Sequence, residues 1–436
     1  MKRRIIGLLF AAILVPALFL STSCSLQLKS KISRDDFVPD FSQERMLETI
    51  KILSAEDGGR IAGFAGEKAA AEYIAGRFRE MGLEVSEQSF PIKSFTCNSV
   101  SVDVISEAGK KIEGAKALTY SAATPPGGIE AELISLGFGT AEEYKDKDAE
   151  GKIALMKRGG EYFYIKTARA YEMGAAAVVF YDPDGGEAVS ATLTKLSAIP
   201  AVSISHANGE MLENSIKDGD KVEIRVVVDS ITEDSTSSNV IGLYKAAKNT
   251  GGMRVIVGAH YDGVDTPAAN DNASGIAAII EMARALSDQR IPLPYDVMFI
   301  AFGAEEIGLV GSTTFVNRMR IDEKDSVLAM LNLDMVGVGN SFELYTVDEG
   351  SSIRFRDMAK ETLNQMGYAP LILTTDRSDH APFAFAGIQA VFIQAGPYDA
   401  YHTDFDTLSV IQPEVLVKIC EFGTRLLVEK LPLWVE

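Results

Sequence analysis

The sequence predicts an α/β protein in which a mainly parallel central sheet is covered by helices and a small α/β domain is inserted. Three observations carry this expectation. From residue 239 onward, short apolar runs without period-two alternation alternate with helical patterns, as in a parallel sheet buried on both faces. Between residues 97 and 228 the character is different, with short β-rich stretches punctuated by Gly and Pro. The length of 436 residues, 47% of them hydrophobic, is more than one ordinary core accommodates and too apolar for a disordered chain.

The first residues read as a leader. Lys2, Arg3 and Arg4 precede an apolar run over 5–20, and small polar residues then lead to Cys24. This is the pattern of an export signal over 1–23. The competing reading is a spanning anchor, but the run is short for a bilayer and contains Pro16. Ser21-Thr22-Ser23-Cys24 resembles a bacterial lipidation box, except that the leucine expected three residues before the cysteine is Leu20, one place early. Lipid on Cys24 would tether the chain to a membrane surface without spanning it, and cleavage without lipidation is the alternative. Removing the three basic residues of the leader takes the formal charge from −19 to −22. A chain so acidic, without basic patches, is not a nucleic-acid binder. Cys97 and Cys420 could pair in an exported chain, but one possible bridge is no disulfide framework.

After a polar stretch, residues 69–83 place Ala70, Ile74, Phe78 and Met81 at helical spacing, with Gly82 as the stop. Strands are expected at 152–156 and 176–181 with a helix near 167–173, and the polar cluster 232–238 reads as a loop returning to the main domain. Strands at 254–259, 295–302, 327–333 and 390–393 then alternate with helices at 275–286 and 415–427. The division expected is 24–96 for the first part of the main domain, 97–230 for the insertion and 231–436 for the rest.

In such sheets ligands gather beyond the carboxyl ends of the strands. His260 and Asp262 follow one strand, Glu305 and Glu306 another, and Asp334 a third. Asp271 lies in a loop ahead of an apolar helix, and His402 follows the strand at 390–393. One imidazole and one or two carboxylates make a reasonable zinc shell, and a carboxylate can bridge two ions roughly 3.5–4 Å apart. The residues close on two zinc ions: His260 and Asp334 for one, Glu306 and His402 for the other, Asp271 bridging. Glu305 is then free to act as general base toward water, and Asp262 to accept a hydrogen bond from the far nitrogen of His260. A Glu-Glu pair is by itself usually a solvated surface, and a lone histidine usually structural. Here the pair terminates an apolar strand, and the chain has four histidines, of which two complete the arrangement.

These residues lie in stretches that together resemble peptidase family M28, the two-zinc aminopeptidases and their relatives. The stretches are Gly258-Ala259-His260-Tyr261-Asp262-Gly263, Asn270-Asp271-Asn272-Ala273-Ser274-Gly275, Phe302-Gly303-Ala304-Glu305-Glu306-Ile307-Gly308-Leu309 with Gly311-Ser312, Asn332-Leu333-Asp334-Met335-Val336-Gly337, Ser378-Asp379-His380-Ala381-Pro382-Phe383, and Tyr401-His402-Thr403 with Asp406-Thr407. The resemblance implies a zinc-exopeptidase-like fold, with Arg60, Gly63 and Gly66 in its N-terminal segment. It also implies that the insertion is a protease-associated domain, on Gly151-Lys152-Ile153-Ala154-Leu155, Arg158-Gly159, Gly174-Ala175 and Ile199-Pro200-Ala201-Val202. Such domains cover clefts or mediate contacts. Tyr401 resembles a position whose hydroxyl helps hold the oxyanion, and packing is its other reading. Asp379 and His380 resemble a motif lining the cleft, with a structural role the alternative for His380, and His206 reads as structural. The activity implied is hydrolysis of N-terminal residues from peptides. Its rivals are a glutaminyl cyclase, a glutamate-type carboxypeptidase and a peptidase-like binding protein without catalysis.

Overall fold

The computed structural model describes residues 37–54, 59–106, 110–145, 147–247 and 251–435. The leader and Cys24 lie outside them. Apolar runs pair into one 14-stranded sheet. Its centre is the four-strand parallel block Ala390–Gly396, Val327–Leu333, Arg254–His260 and Asp296–Phe302, in that order across the sheet. Ser341–Thr346 adds antiparallel to Ala390–Gly396 at one end, and Leu371–Thr374 closes that edge.

Both faces of the block are covered. Val255, Val257, Leu331 and Ile393 pack under the helices Gln43–Leu53, Ser274–Gln289 and Pro413–Arg425, while Ile256, Ile300, Phe302 and Met330 face Val310–Arg318 and His380–Phe385. This two-sided burial is why these strands carry no polar alternation. The helix Gln43–Leu53, in the stretch that reads as polar, buries Met46, Thr49, Ile50 and Leu53 on one stripe, and the Ser42 hydroxyl caps its start. The expected helix at 69–83 is Ala65–Glu80. Gly82 follows with φ +77°, a left-handed turn that a side chain would resist.

The segment 232–238, expected as a loop, is strand. Glu223–Tyr244 runs 22 residues without a break, paired antiparallel with Glu84–Val104 along nearly its whole length. Ser and Thr on a two-stranded ribbon satisfy their backbone through the partner strand, so polarity there does not mean a loop. The one register shift lies between Cys97 and Ser99, and Cys97 pairs with Ser230. Beyond that point the ribbon leads into the smaller set Ile129–Ser135, Ile153–Lys157, Ala177–Tyr181 and Ala201–Ile204, mutually parallel. Among the described residues Cys97 and Cys420 form no disulfide, and Cys420 is buried against Met46 and Ala278.

Candidate metal centre

His260, Phe302 and Leu333 end three adjacent parallel strands, so the residues that follow them share one sheet edge. Asp271 is brought to that edge by its own loop. The Asn270 side chain accepts from the Gly337 amide at 2.8 Å, the Asn272 side chain donates to the Leu333 carbonyl at 2.9 Å, and the Ser274 hydroxyl accepts from the Val336 amide at 3.0 Å. These bonds tie 270–274 to the strand end that carries Asp334. Gly275 makes the approach possible, because a Cβ there would lie 2.4 Å from the Leu333 carbonyl oxygen.

Asp271 is the pivot of the cluster. Its Oδ1 lies 3.1 Å from His260 Nε2, and its Oδ2 lies 3.1 Å from His402 Nε2. Asp334 Oδ1 is 3.3 Å from His260 Nε2, and Glu306 Oε2 is 3.1 Å from His402 Nε2. In each ring the other nitrogen faces a backbone carbonyl: His260 Nδ1 meets Asp262 O at 3.2 Å, and His402 Nδ1 meets Ser190 O at 3.0 Å. A carbonyl only accepts, so the proton belongs on Nδ1 and the Nε2 lone pair is aimed at carboxylate oxygens. Lone pairs facing one another need positive charge between them. Burial works to lower the pKa of His402, but Glu306 and Asp271 outweigh it and hold it up at about 10. For His260, Asp334 and Glu305 likewise outweigh burial.

The donor set fits zinc, being imidazole nitrogens and carboxylate oxygens. Among the described residues Glu306 Oε1, Asp334 Oδ1 and His402 Nε2 are buried without a hydrogen-bond partner, as groups suited to a cation would be. Two overlapping sets, His260 with Asp271 and Glu306, and His260 with Glu305 and Asp334, bring their donor atoms within 4.8 Å of one another.

Asp262 is placed differently from expectation. Its carboxylate oxygen is 3.7 Å from His260 Nδ1, and the ring bonds its backbone carbonyl instead. The carboxylate is engaged by the amides of Glu305 and Glu306, at 2.9 and 3.1 Å, which orients the turn bearing both glutamates. Burial pushes the Glu305 carboxyl well above its ordinary range, and Glu306, Asp379 and Asp334 add to the rise against His260. The Tyr401 ring stacks on His402 with centroids 3.8 Å apart. Burial, then Asp271, Glu306 and Glu305, hold its hydroxyl well above the ordinary phenol range.

The contacts of further residues in the quoted stretches emerge only in three dimensions. The Asp406 carboxylate accepts from the amides of Asn270 and Asp271, at 2.7 and 3.0 Å. Ser378 donates to Asp334 Oδ2 at 2.6 Å and is itself held by Asn332. Arg60 is 2% exposed and donates to the carbonyls of Leu53, Tyr261 and Ala268, joining the N-terminal segment to two site loops. Burial lowers its pKa to about 10, against Asp262, Asp406 and Asp271. Asp379 is fully buried beside the cluster and is pushed up to about 7, chiefly by burial. His380 is lowered to about 4 by burial, which keeps it neutral against the raising effect of the bond between its Nε2 and the Thr375 carbonyl. Ala268, Ala304, Met335 and His402 all have φ between +52° and +58°, and strain of this kind collects at functional sites.

Buried carboxylates and imidazoles at the carboxyl edge of a helix-covered parallel sheet are the hallmark of the zinc exopeptidases. Comparison with known proteins narrows the class. Peptidase family M28 matches residues 239–424, and the PA domain matches residues 120–212. Aminopeptidase YwaD of Bacillus subtilis is 34% identical over 415 residues, covering 92% of this chain and 87% of that protein. The probable lipoprotein aminopeptidase LpqL of Mycobacterium tuberculosis is 27% identical, over 90% of this chain and 84% of that one. The solved structure of BSAP, a zinc aminopeptidase from Bacillus subtilis, superposes with a TM-score of 0.73 at 31% identity, over 89% and 94% of the two chains. The chain belongs to peptidase family M28 and carries a PA domain.

Proposed function

We propose that Glu305, beside residues that would hold two zinc ions, serves hydrolysis of the N-terminal peptide bond of peptide substrates at this edge. The chain is on this reading a zinc-dependent aminopeptidase, in keeping with its family and its relatives. The observation that carries the two-ion reading is Asp271, whose two oxygens face different imidazoles. His260 and Asp334 would hold one ion, Glu306 and His402 the other, and Asp271 both. Bound zinc supplies Lewis acidity, polarising the scissile carbonyl and lowering the pKa of a water.

The remaining roles fall to side chains of this chain. Among the described residues neither imidazole forms an ion pair with Glu305. Its carboxylate takes the proton of the attacking water and returns it to the leaving amine. Asp262 aims Glu305 and Glu306 by holding their amides. The Tyr401 hydroxyl donates to the oxygen on which negative charge develops.

Residues 97–230 form the PA insertion, between 24–96 and 231–436 of the peptidase domain. The leader directs export, with Cys24 as a lipid attachment point, and similarity to LpqL supports this. Among the described residues no helix is long and apolar enough to cross a membrane.

Zinc titration of the metal-stripped protein, paired with peptide assays, tests the function. Two zinc ions per chain are expected, with release of the first residue from a free peptide and none from its N-acetylated form. Ammonia release from an N-terminal glutamine peptide without chain cleavage would mark a cyclase, and absence of zinc binding a non-catalytic protein.

A further inference from the structure

The two imidazoles of the centre are oriented by different parts of the molecule. His260 Nδ1 is held by the carbonyl of Asp262, two residues along its own strand end. His402 Nδ1 is held by the carbonyl of Ser190, 212 residues away in the inserted segment. That carbonyl is itself fixed from within the insertion. The Ser203 hydroxyl, fully buried in the strand Ala201–Ile204, donates to the carbonyl of Val189 at 2.7 Å, and Lys116 Nζ donates to Ser190 Oγ at 3.1 Å. Glu306, on the same side of the cluster, is also backed by the insertion. Ala304 and Ile307, which flank the Glu305–Glu306 pair, share an apolar cluster with Leu118, Tyr120, Met156 and Phe180.

Among the described residues, no comparable contact from the insertion reaches His260. The insertion touches the loop near Asp334 through the Tyr162 hydroxyl, which donates to Asp376 at 2.5 Å, and through Arg377 over the Tyr162 ring at 4.8 Å. Asp376 and Arg377 are exposed and Tyr162 half-buried, and among the described residues none of the three bonds a member of the cluster.

We propose that the PA insertion is a working part of one half of the metal centre: Ser203, by fixing the 189–190 backbone, makes the Ser190 carbonyl the orienting partner of His402. Zinc affinity at the Glu306–His402 position then depends on the insertion, and affinity at the His260–Asp334 position does not. Ser203 is a positioning residue on this account, acting on the ion through two backbone carbonyls and an imidazole. Groups that orient a ligating histidine contribute roughly 10–100-fold in metal affinity. The proposal rests on the two-ion reading and adds an asymmetry to it.

The test is zinc binding by the purified, metal-stripped chain, followed by calorimetry and by nitrogen-15 spectra of its histidines. Ser203→Ala should weaken one of the two zinc sites about 10-fold or more and leave the other unchanged, and the weakened site should be the one whose filling shifts His402. Ser203→Thr, which keeps the hydroxyl, should restore it, and Tyr162→Phe should bind both ions as the wild type does. A Ser203→Ala protein with the wild-type melting curve that binds both ions normally, or loses both equally, overturns the proposal. If Ser203→Ala does not fold, Lys116→Met is read by the same criteria. A wild type that binds a single ion sinks the two-ion reading itself, which is a distinguishable result.

Discussion

At the scale of single residues, the site is shaped by groups that hold backbone. Arg60 is buried and satisfies carbonyls of three separate segments with one planar fork, a geometry that an ammonium on a flexible stem does not reproduce. Arg60→Met and Arg60→Lys should both lower stability by about 2–4 kcal/mol, because each leaves buried carbonyls without donors. Urea unfolding of the two variants measures this. A lysine variant as stable as the wild type would show that charge alone, set among Asp262, Asp406 and Asp271, is what Arg60 provides.

At the scale of elements, the loop from Asn270 to Gly275 decides whether Asp271 faces both histidines. Its inner side is bonded to the Leu333–Gly337 segment, and its outer side to the Asp406 carboxylate. Asp406→Ala strands two buried amides, so the expected cost is about 1–3 kcal/mol per amide, together with weaker zinc binding. Thermal melts with and without zinc check it, and a variant that melts lower yet binds zinc as tightly would separate the loop's stability from its role at Asp271. Much at this scale could be read from sequence alone. The strands Arg254–His260, Asp296–Phe302 and Val327–Leu333 are apolar on both faces, and their polar ends stand out against that background. Residues 232–238 read as a loop because serine and threonine on a ribbon have loop composition, and the helix Gln43–Leu53 gives little signal because its stripe is narrow and its other faces charged. The carboxylate of Asp262 went to two amides that no side-chain pattern announces. Ser190 acts through a carbonyl, which every residue has, so its contact with His402 left no signal in residue type.

At the scale of the whole molecule, concentrated acidity is offset by groups that stay neutral. Glu67 is buried, accepts from the Gly63 amide and the Ser237 hydroxyl, and is pushed up to about 8 by burial and by Asp262. A carboxyl whose folded pKa lies above its unfolded value contributes stability that is full below about pH 4.5 and is lost as pH rises through about 8. Glu67→Gln removes that loss. The melting temperature of the wild type should therefore fall relative to that of Glu67→Gln between about pH 5 and about pH 9. Parallel melting curves across that range would mean Glu67 is ionised in the fold.

The central claim is that Glu305 moves the proton while its neighbours hold the metal. Glu305→Gln keeps the shape of the side chain and removes the base, so the direct test is to measure zinc content and turnover of an aminoacyl substrate on the same preparation. The expected result is a wild-type complement of zinc with kcat lower by about 10²–10⁴-fold. A variant that holds its zinc and turns over at the wild-type rate would contradict it.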